Sequence, residues 1–433
     1  MLQKLVGITL LCVLTFMVSG QEIEQCGHTD YVNYLETINP GISDNINETF
    51  FAALNQSRLK TKNTQDTTYT IQVVFHIVYG NQAENLPDEY ITSQMRILNE
   101  CFRRTNPDTV NTRNIFKPVA GDVGINFVLA EEDPNGESTN GILRVQTNLT
   151  SFGVFPNNLG VADRVKLEPS GSPSWDTEKY LNIWVCDLSA SGFDALLGYA
   201  YPPTGAPFWN INSNTTAERQ GVVIHYKVVG EENPNSLATG VKTLVHEVGH
   251  YLGLRHIWGD GGCGVDDFLE DTPRARRASN GCLPGINTCA EPTGEQFPDM
   301  VENYMDYSTG ECQNMFTHDQ IALMRTNLVT FRSGIYYRTV PPAPPVLVTT
   351  SETGVFPNPA IDRVLIQIAD IDTSFQNYNM QIVNMLGQVV VETGLMNQSI
   401  QYMEGLGGLS GTYLYRIRQG DNVIKTSKIL FGH

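Results

Sequence analysis

One stretch of this sequence carries residues whose types and spacing can do chemistry: His246-Glu247-Val248-Gly249-His250-Tyr251-Leu252-Gly253-Leu254-Arg255-His256. Leu244, Val245 and Val248 flank the histidines, so the segment before Gly253 reads as a helix, and residues four apart on a helix share a face. His246 and His250 can therefore grip one metal ion. Gly253 permits a left-handed turn that ends the helix, and the reversing chain brings up His256 as a third imidazole. Three neutral imidazoles with an open fourth position make a catalytic zinc arrangement. Glu247, next to the first ligand, is placed to take a proton from a water that zinc acidifies towards a pKa of ~7, and to pass it to a leaving amine. The chemistry implied is hydrolysis of a peptide bond. A lone histidine is more simply a satisfied core residue, and His76, His225 and His318 are read that way.

The elements that must position this site are legible from periodicity. Ile71 to Tyr79 is a β-branched and aromatic run, as a buried strand requires, and further strands are expected at Ile125 to Ala130, Leu181 to Cys186 and Gly221 to His225. Ile91, Met95, Leu98 and Phe102 recur at helical spacing, giving an amphipathic helix to about Arg104. Thr317 with Gln320 forms a capping box that opens a second clear helix, carried by Ile321, Leu323, Met324, Leu328 and Phe331 to about Arg332. Strands and helices in this order point to an α/β catalytic domain over 67–338, a twisted mixed sheet covered by helices.

Around that domain the composition changes. Lys4, the apolar run Leu5 to Val18 and the small residues ending at Gly20 read as a secretory signal over 1–20. That run is short of the ~20 residues a spanning helix needs, and no other stretch is long enough. Residues 21–66 read as a polar leader, or propeptide, ending in the basic Arg58-Leu59-Lys60-Thr61-Lys62, a protease-accessible junction. The 28 Lys and Arg against 46 Asp and Glu leave a formal net charge of -18, which repels phosphate backbones, so nucleic acid is not an expected partner. Of eight cysteines Cys12 goes with the signal, leaving Cys26, Cys101, Cys186, Cys263, Cys282, Cys289 and Cys312. The odd count asks for a role for one thiol. Cys101 and Cys186, on a helix and a strand, can pair or stay buried as free thiols.

The pattern H-E-x-x-H-x-x-G-x-x-H is that of the metzincins, which also carry a methionine-containing turn below the zinc site. Glu302-Asn303-Tyr304-Met305-Asp306-Tyr307-Ser308 resembles that turn and puts Met305 under the ligands. Trp258-Gly259-Asp260, then Cys263-Gly264-Val265-Asp266-Asp267-Phe268 and Asp271-Thr272-Pro273, are similar to the pappalysin (cytophagalysin) family, as is Tyr307, over about residues 70 to 335. The resemblance implies a sheet-and-helix upper subdomain, a loop-rich lower one and a cleft between them, with Tyr307 helping to stabilise the tetrahedral intermediate. It also implies two interleaved disulfides, Cys263 with Cys289 and Cys282 with Cys312, where four cysteines alone permit three connectivities. Glu311, where related enzymes that favour Arg or Lys after the scissile bond carry Asp, is a candidate substrate-binding carboxylate. Asp266, Asp267, Asp271 and Thr272 offer the hard oxygens Ca²⁺ prefers, and the resemblance supports calcium there. Cys26 acquires its role by resemblance to the cysteine switch of other metzincin zymogens, its thiolate serving as a fourth zinc ligand until the leader is cut.

A Pro-rich linker over 339–354 separates the catalytic domain from a module over 355–433. Short alternating runs there, punctuated by Asn-Pro and Gly, predict a small all-β, Ig-like sandwich. Val355-Phe356-Pro357-Asn358-Pro359-Ala360, Met385-Leu386-Gly387-Gln388 and Leu409-Ser410-Gly411-Thr412-Tyr413 resemble the C-terminal sorting domain of cargo for the type IX secretion system. That resemblance implies export by the type IX machinery to the extracellular space or outer surface. The competing readings are an adhesin or carbohydrate module, and a surface adhesin on an inactive protease fold; the intact histidine triplet and Glu247 argue for the enzyme.

Overall fold

A computed structural model describes residues 25–59, 67–153, 159–190, 193–194, 196–204, 218–237, 240–291, 294, 296–339, 353–356, 358–360, 364–368, 378–395, 400–403, 406 and 408–432. The signal segment, Lys60 and Lys62 of the basic stretch, and the Pro-rich segment 340–352 lie outside the described residues. Chain contacts divide the molecule into two units between Pro341 and Pro342. Among the described residues no helix is long and apolar enough to cross a membrane.

The first unit is built on the long strand β1, Thr68–Tyr79. The parallel strands β2, Ile125–Leu129, and β3, Ile142–Gln146, succeed one another along one edge of β1. The other edge takes β7, Tyr336–Thr339, antiparallel, and β4, Leu181–Cys186, parallel. The sheet continues through parallel β6, Val222–His225, to the antiparallel edge strand β5, Gly198–Ala200. Strand β4 is buried along its whole length, as a central parallel strand must be. Its alternate side chains feed two cores: Leu181, Ile183 and Val185 face one cluster, and Trp184 and Cys186 another.

The inner cluster is closed by α3, Asp88–Phe102, by α4, Thr243–Tyr251, which carries the metal motif, and by α5, His318–Phe331. Both halves of the Thr317–Gln320 capping box form at the start of α5. His76 and His225 are fully buried, whereas His318, read from the sequence as a core residue, is exposed. The cap at Thr317 fixes the reason: His318 opens the first turn of α5, and the apolar stripe of that helix begins three residues later.

The leader is part of this unit. It forms α1, His28–Ile38, and α2, Ile42–Leu59, and buries Phe50, Ala53 and Leu54 in the inner cluster and Tyr31, Leu35 and Ile42 in the outer one. Its polar composition hides narrow apolar stripes at helical spacing. In the second unit, a three-stranded sheet of β8, Gly354–Phe356, β9, Val364–Gln367, and β12, Ile400–Met403, shares one buried cluster with a four-stranded antiparallel sheet. The latter comprises β10, Tyr378–Val383, β11, Val389–Leu395, β13, Gly411–Gln419, and β14, Asn422–Phe431.

Candidate metal centre

Helix α4 ends where the sequence changes character. Gly253 takes φ +96°, and a side chain there would lie 2.2 Å from the Asn327 amide. Its N–H donates to the His250 carbonyl and the Leu254 N–H to that of Gly249, closing the helix and turning the chain back. His246, His250 and His256 then converge in a buried pocket.

Each imidazole is fixed by its Nδ1. That of His246 donates to the Tyr304 carbonyl at 2.7 Å, that of His250 to the Leu254 carbonyl at 2.9 Å, and that of His256 to Asp260 at 2.8 Å. With the proton held on Nδ1, every Nε2 presents a bare lone pair. Yet Nε2 of His250 lies 3.1 Å from Nε2 of both His246 and His256. Lone pairs at that distance repel, so the arrangement fits a cation held among them. Burial pushes His246 down to about 3 and His250 well below the ordinary imidazole range, which keeps those two rings neutral. The Cys26 thiol completes a set of four ligand atoms all within 4.8 Å of one another. Beside them both carboxylate oxygens of Glu247 are buried without a hydrogen-bond partner, and burial raises that carboxyl to about 8, an effect the neighbouring Cys26 thiol opposes. A bound divalent cation would reverse that cost.

The leader threads this centre. The Gly27 N–H donates to the Gly198 carbonyl on edge strand β5 at 2.8 Å, and the Tyr307 hydroxyl donates to the Cys26 carbonyl at 3.1 Å. The Gln25 amide donates to the Tyr307 carbonyl, while the His28 ring stacks on that of His250 with centroids 4.0 Å apart. Gln25 thus enters the cleft beside His246 that Leu197, Thr243, Tyr307 and Gln313 line.

Below the ligands lies Met305, whose sulfur would be 2.5 Å from a Cβ on Gly249. Cys263 is bonded to Cys289 and Cys282 to Cys312, and Cys101 and Cys186 are free buried thiols in different clusters, on either face of the sheet. Among the described residues the converging group of three or more His, Cys, Asp or Glu ligand atoms is that of Cys26 and the three histidines, and it does not include Asp266, Asp267 or Asp271. Asp266 pairs with Arg274, Asp267 accepts from Thr272, and Asp271 accepts from the Asp319 N–H; one oxygen each of Asp267 and Asp271 is buried without a partner. Glu311 is exposed on the loop before Cys312.

Comparison with known proteins agrees with the geometry. The family model described as Pregnancy-associated plasma protein-A matches residues 171–329, and that of the secretion system C-terminal sorting domain matches 354–431. An extracellular metalloprotease of Coccidioides posadasii is 35% identical over 270 residues, 61% of this chain and 78% of that protein. A promirolysin mutant from Tannerella forsythia is 36% identical with TM-score 0.59, covering 72% of this chain and 97% of that one. Mature mirolysin of Tannerella forsythia in complex with a cleaved peptide is 39% identical with TM-score 0.54, covering 62% and 95%.

The chain belongs to the pappalysin family of metzincin metallopeptidases. It is secreted, and its C-terminal unit is a type IX sorting domain. Several residues of this pappalysin that shape the centre escape sequence reasoning. Asp260, four residues after His256, is marked by that spacing, but the Tyr304 and Leu254 carbonyls and the Gly198 edge carry no side-chain signal. Gly249 is the most testable of the supporting positions. Alanine there drives a methyl group into Met305, and Gly249→Ala is expected to lower stability by roughly 1–3 kcal/mol. An unchanged denaturant midpoint would remove Met305 as the rigid floor of the site.

Proposed function

We propose that the protein is a zinc metalloendopeptidase held latent by its own leader. The observation that carries the reading is the meeting of three bare imidazole nitrogens beside the unpartnered carboxylate of Glu247. His246, His250 and His256 would hold zinc, which when bound polarises the scissile carbonyl and acidifies a water. Glu247 takes the proton of that attacking water and delivers it to the leaving amine. Tyr307, which now donates to the Cys26 carbonyl, would donate to the oxyanion of a substrate lying in the leader's place. Edge strand β5 would pair with the substrate backbone as it does with Gly27.

Cys26 acts as a fourth ligand in the latent chain. Burial and the Glu247 carboxylate push its thiol well above the ordinary range, so a thiolate there needs a cation in contact with it. Glu311, two residues from the cleft-lining Gln313, is the proposed basis of a preference for Arg or Lys after the scissile bond. The two sheets of the C-terminal unit, sharing one core, would form an Ig-like sandwich that engages the type IX machinery.

Glu247→Ala should lower casein hydrolysis by roughly 10²–10⁴-fold with metal content unchanged, and full retention of activity would sink the proton-transfer role. Cys26→Ala should make the unprocessed chain hydrolyse casein; a variant as latent as the parent would exclude the switch. A peptide library should show Arg and Lys enriched after the cleaved bond, with the enrichment lost in Glu311→Gln. A flat profile would dispose of the basic preference.

A further inference from the structure

We propose that the outer face of the sheet carries a second recognition site, a socket for a tyrosine side chain of a protein substrate, which the leader's own Tyr31 fills in the latent chain. The proposal rests on the reading that the leader leaves on activation.

The leader passes Cys26 at the metal centre, bonds to edge strand β5 at Gly198 and turns over that edge into α1. A Cβ on Gly198 would lie 3.0 Å from Cγ of Glu247, so strand alternation sends Tyr199 to the opposite face. There its ring packs on that of Tyr31, with centroids 4.7 Å apart, and Tyr31 is fully buried. Beneath the Tyr31 hydroxyl lies a buried charged cluster. Nζ of Lys166 is 2.8 Å from one oxygen of Asp163, and Arg219 pairs with the other. Lys166 has three N–H donors, and three acceptors meet them: Asp163, the Arg219 carbonyl at 2.8 Å and the Tyr31 hydroxyl at 3.0 Å. The same hydroxyl donates to Asp163 at 3.1 Å. The Lys166 ammonium also lies 4.7 Å from the centroid of the Tyr31 ring and about as close to those of Trp184 and Tyr199.

This chemistry selects the ligand. The socket needs a hydroxyl that accepts from a buried cation and donates to a buried anion, mounted on a ring that fills aromatic walls. Phenylalanine supplies the ring but strands one Lys166 donor in the interior, and serine or threonine supplies the hydroxyl without the ring. All three charged groups belong to the catalytic unit and pair with one another, while the leader contributes only a neutral side chain. The socket is therefore preformed once the leader is gone. Its wall stands on β5, the strand that borders the cleft, so a polypeptide lying across the metal centre can reach it by the leader's route. Tyr31 follows Cys26 by only five residues.

The test uses the full-length chain activated by limited proteolysis. Digestion of a library of long peptides should show tyrosine, and not phenylalanine, enriched roughly tenfold at a fixed offset on one side of the cleaved bond. Lys166→Met should abolish that enrichment and leave hydrolysis of peptides too short to reach the socket within about twofold. A second measurement does not depend on catalysis or on that variant folding. By fluorescence anisotropy, a labelled peptide of residues 28–59 should bind the activated enzyme at least about tenfold more tightly than its Tyr31→Phe version. No tyrosine enrichment, enrichment that survives Lys166→Met, or equal binding of the two peptides overturns the socket. Failure to cleave any peptide, with the binding difference intact, would instead strike the endopeptidase reading.

Discussion

Three imidazole lone pairs are brought to 3.1 Å contacts inside a buried pocket, and much of the first unit serves to hold them there against their own repulsion. The Nδ1 hydrogen bonds to Tyr304, Leu254 and Asp260 fix which nitrogen faces inward. These partners come from three places: the methionine turn, the reversal after Gly253, and the loop beyond His256. The reversal needs the positive φ that Gly253 supplies, and the methionine turn packs close because Gly249 carries no side chain against Met305. A cation turns this costly arrangement into a favourable one. The same cation supplies the reason for a glutamate with two buried, unpartnered oxygens.

The leader is woven into the fold and not merely laid over the cleft. It contributes to both hydrophobic clusters, stacks an imidazole on a ligand and completes the hydrogen bonding of a buried lysine. A cut in the basic stretch after α2 breaks one covalent link and leaves those contacts intact. On the proposed latency, activation would depend on release as well as on cleavage. The groups left behind by Tyr31 are charged and preorganised, which is what distinguishes a recognition site from an apolar scar.

The features legible in the sequence are those whose signal is local. The histidine triplet, the glutamate between its members, the capping box at Thr317 and the strand Leu181–Cys186 all declare themselves within a dozen residues, because helix and strand periodicities are short. Edge strand β5 is three residues long and has no pattern to read. The leader helices carry narrow apolar stripes in a polar segment. The Lys166–Asp163–Arg219 cluster meets Tyr31 from more than a hundred residues away along the chain, and only folding brings them together. Whether Cys101 and Cys186 pair is not legible in the sequence for the same reason, since nothing in either segment says that the sheet separates them.

In the proposed latent state, zinc is held on His246, His250, His256 and Cys26. X-ray absorption at the zinc edge of the intact, unprocessed protein tests it most directly. Stoichiometric zinc is expected, with three nitrogen scatterers at about 2.0 Å and one sulfur at about 2.3 Å, the sulfur lost in Cys26→Ala. A zinc shell of nitrogen and oxygen alone in the unprocessed wild-type chain, or no bound zinc, would contradict it.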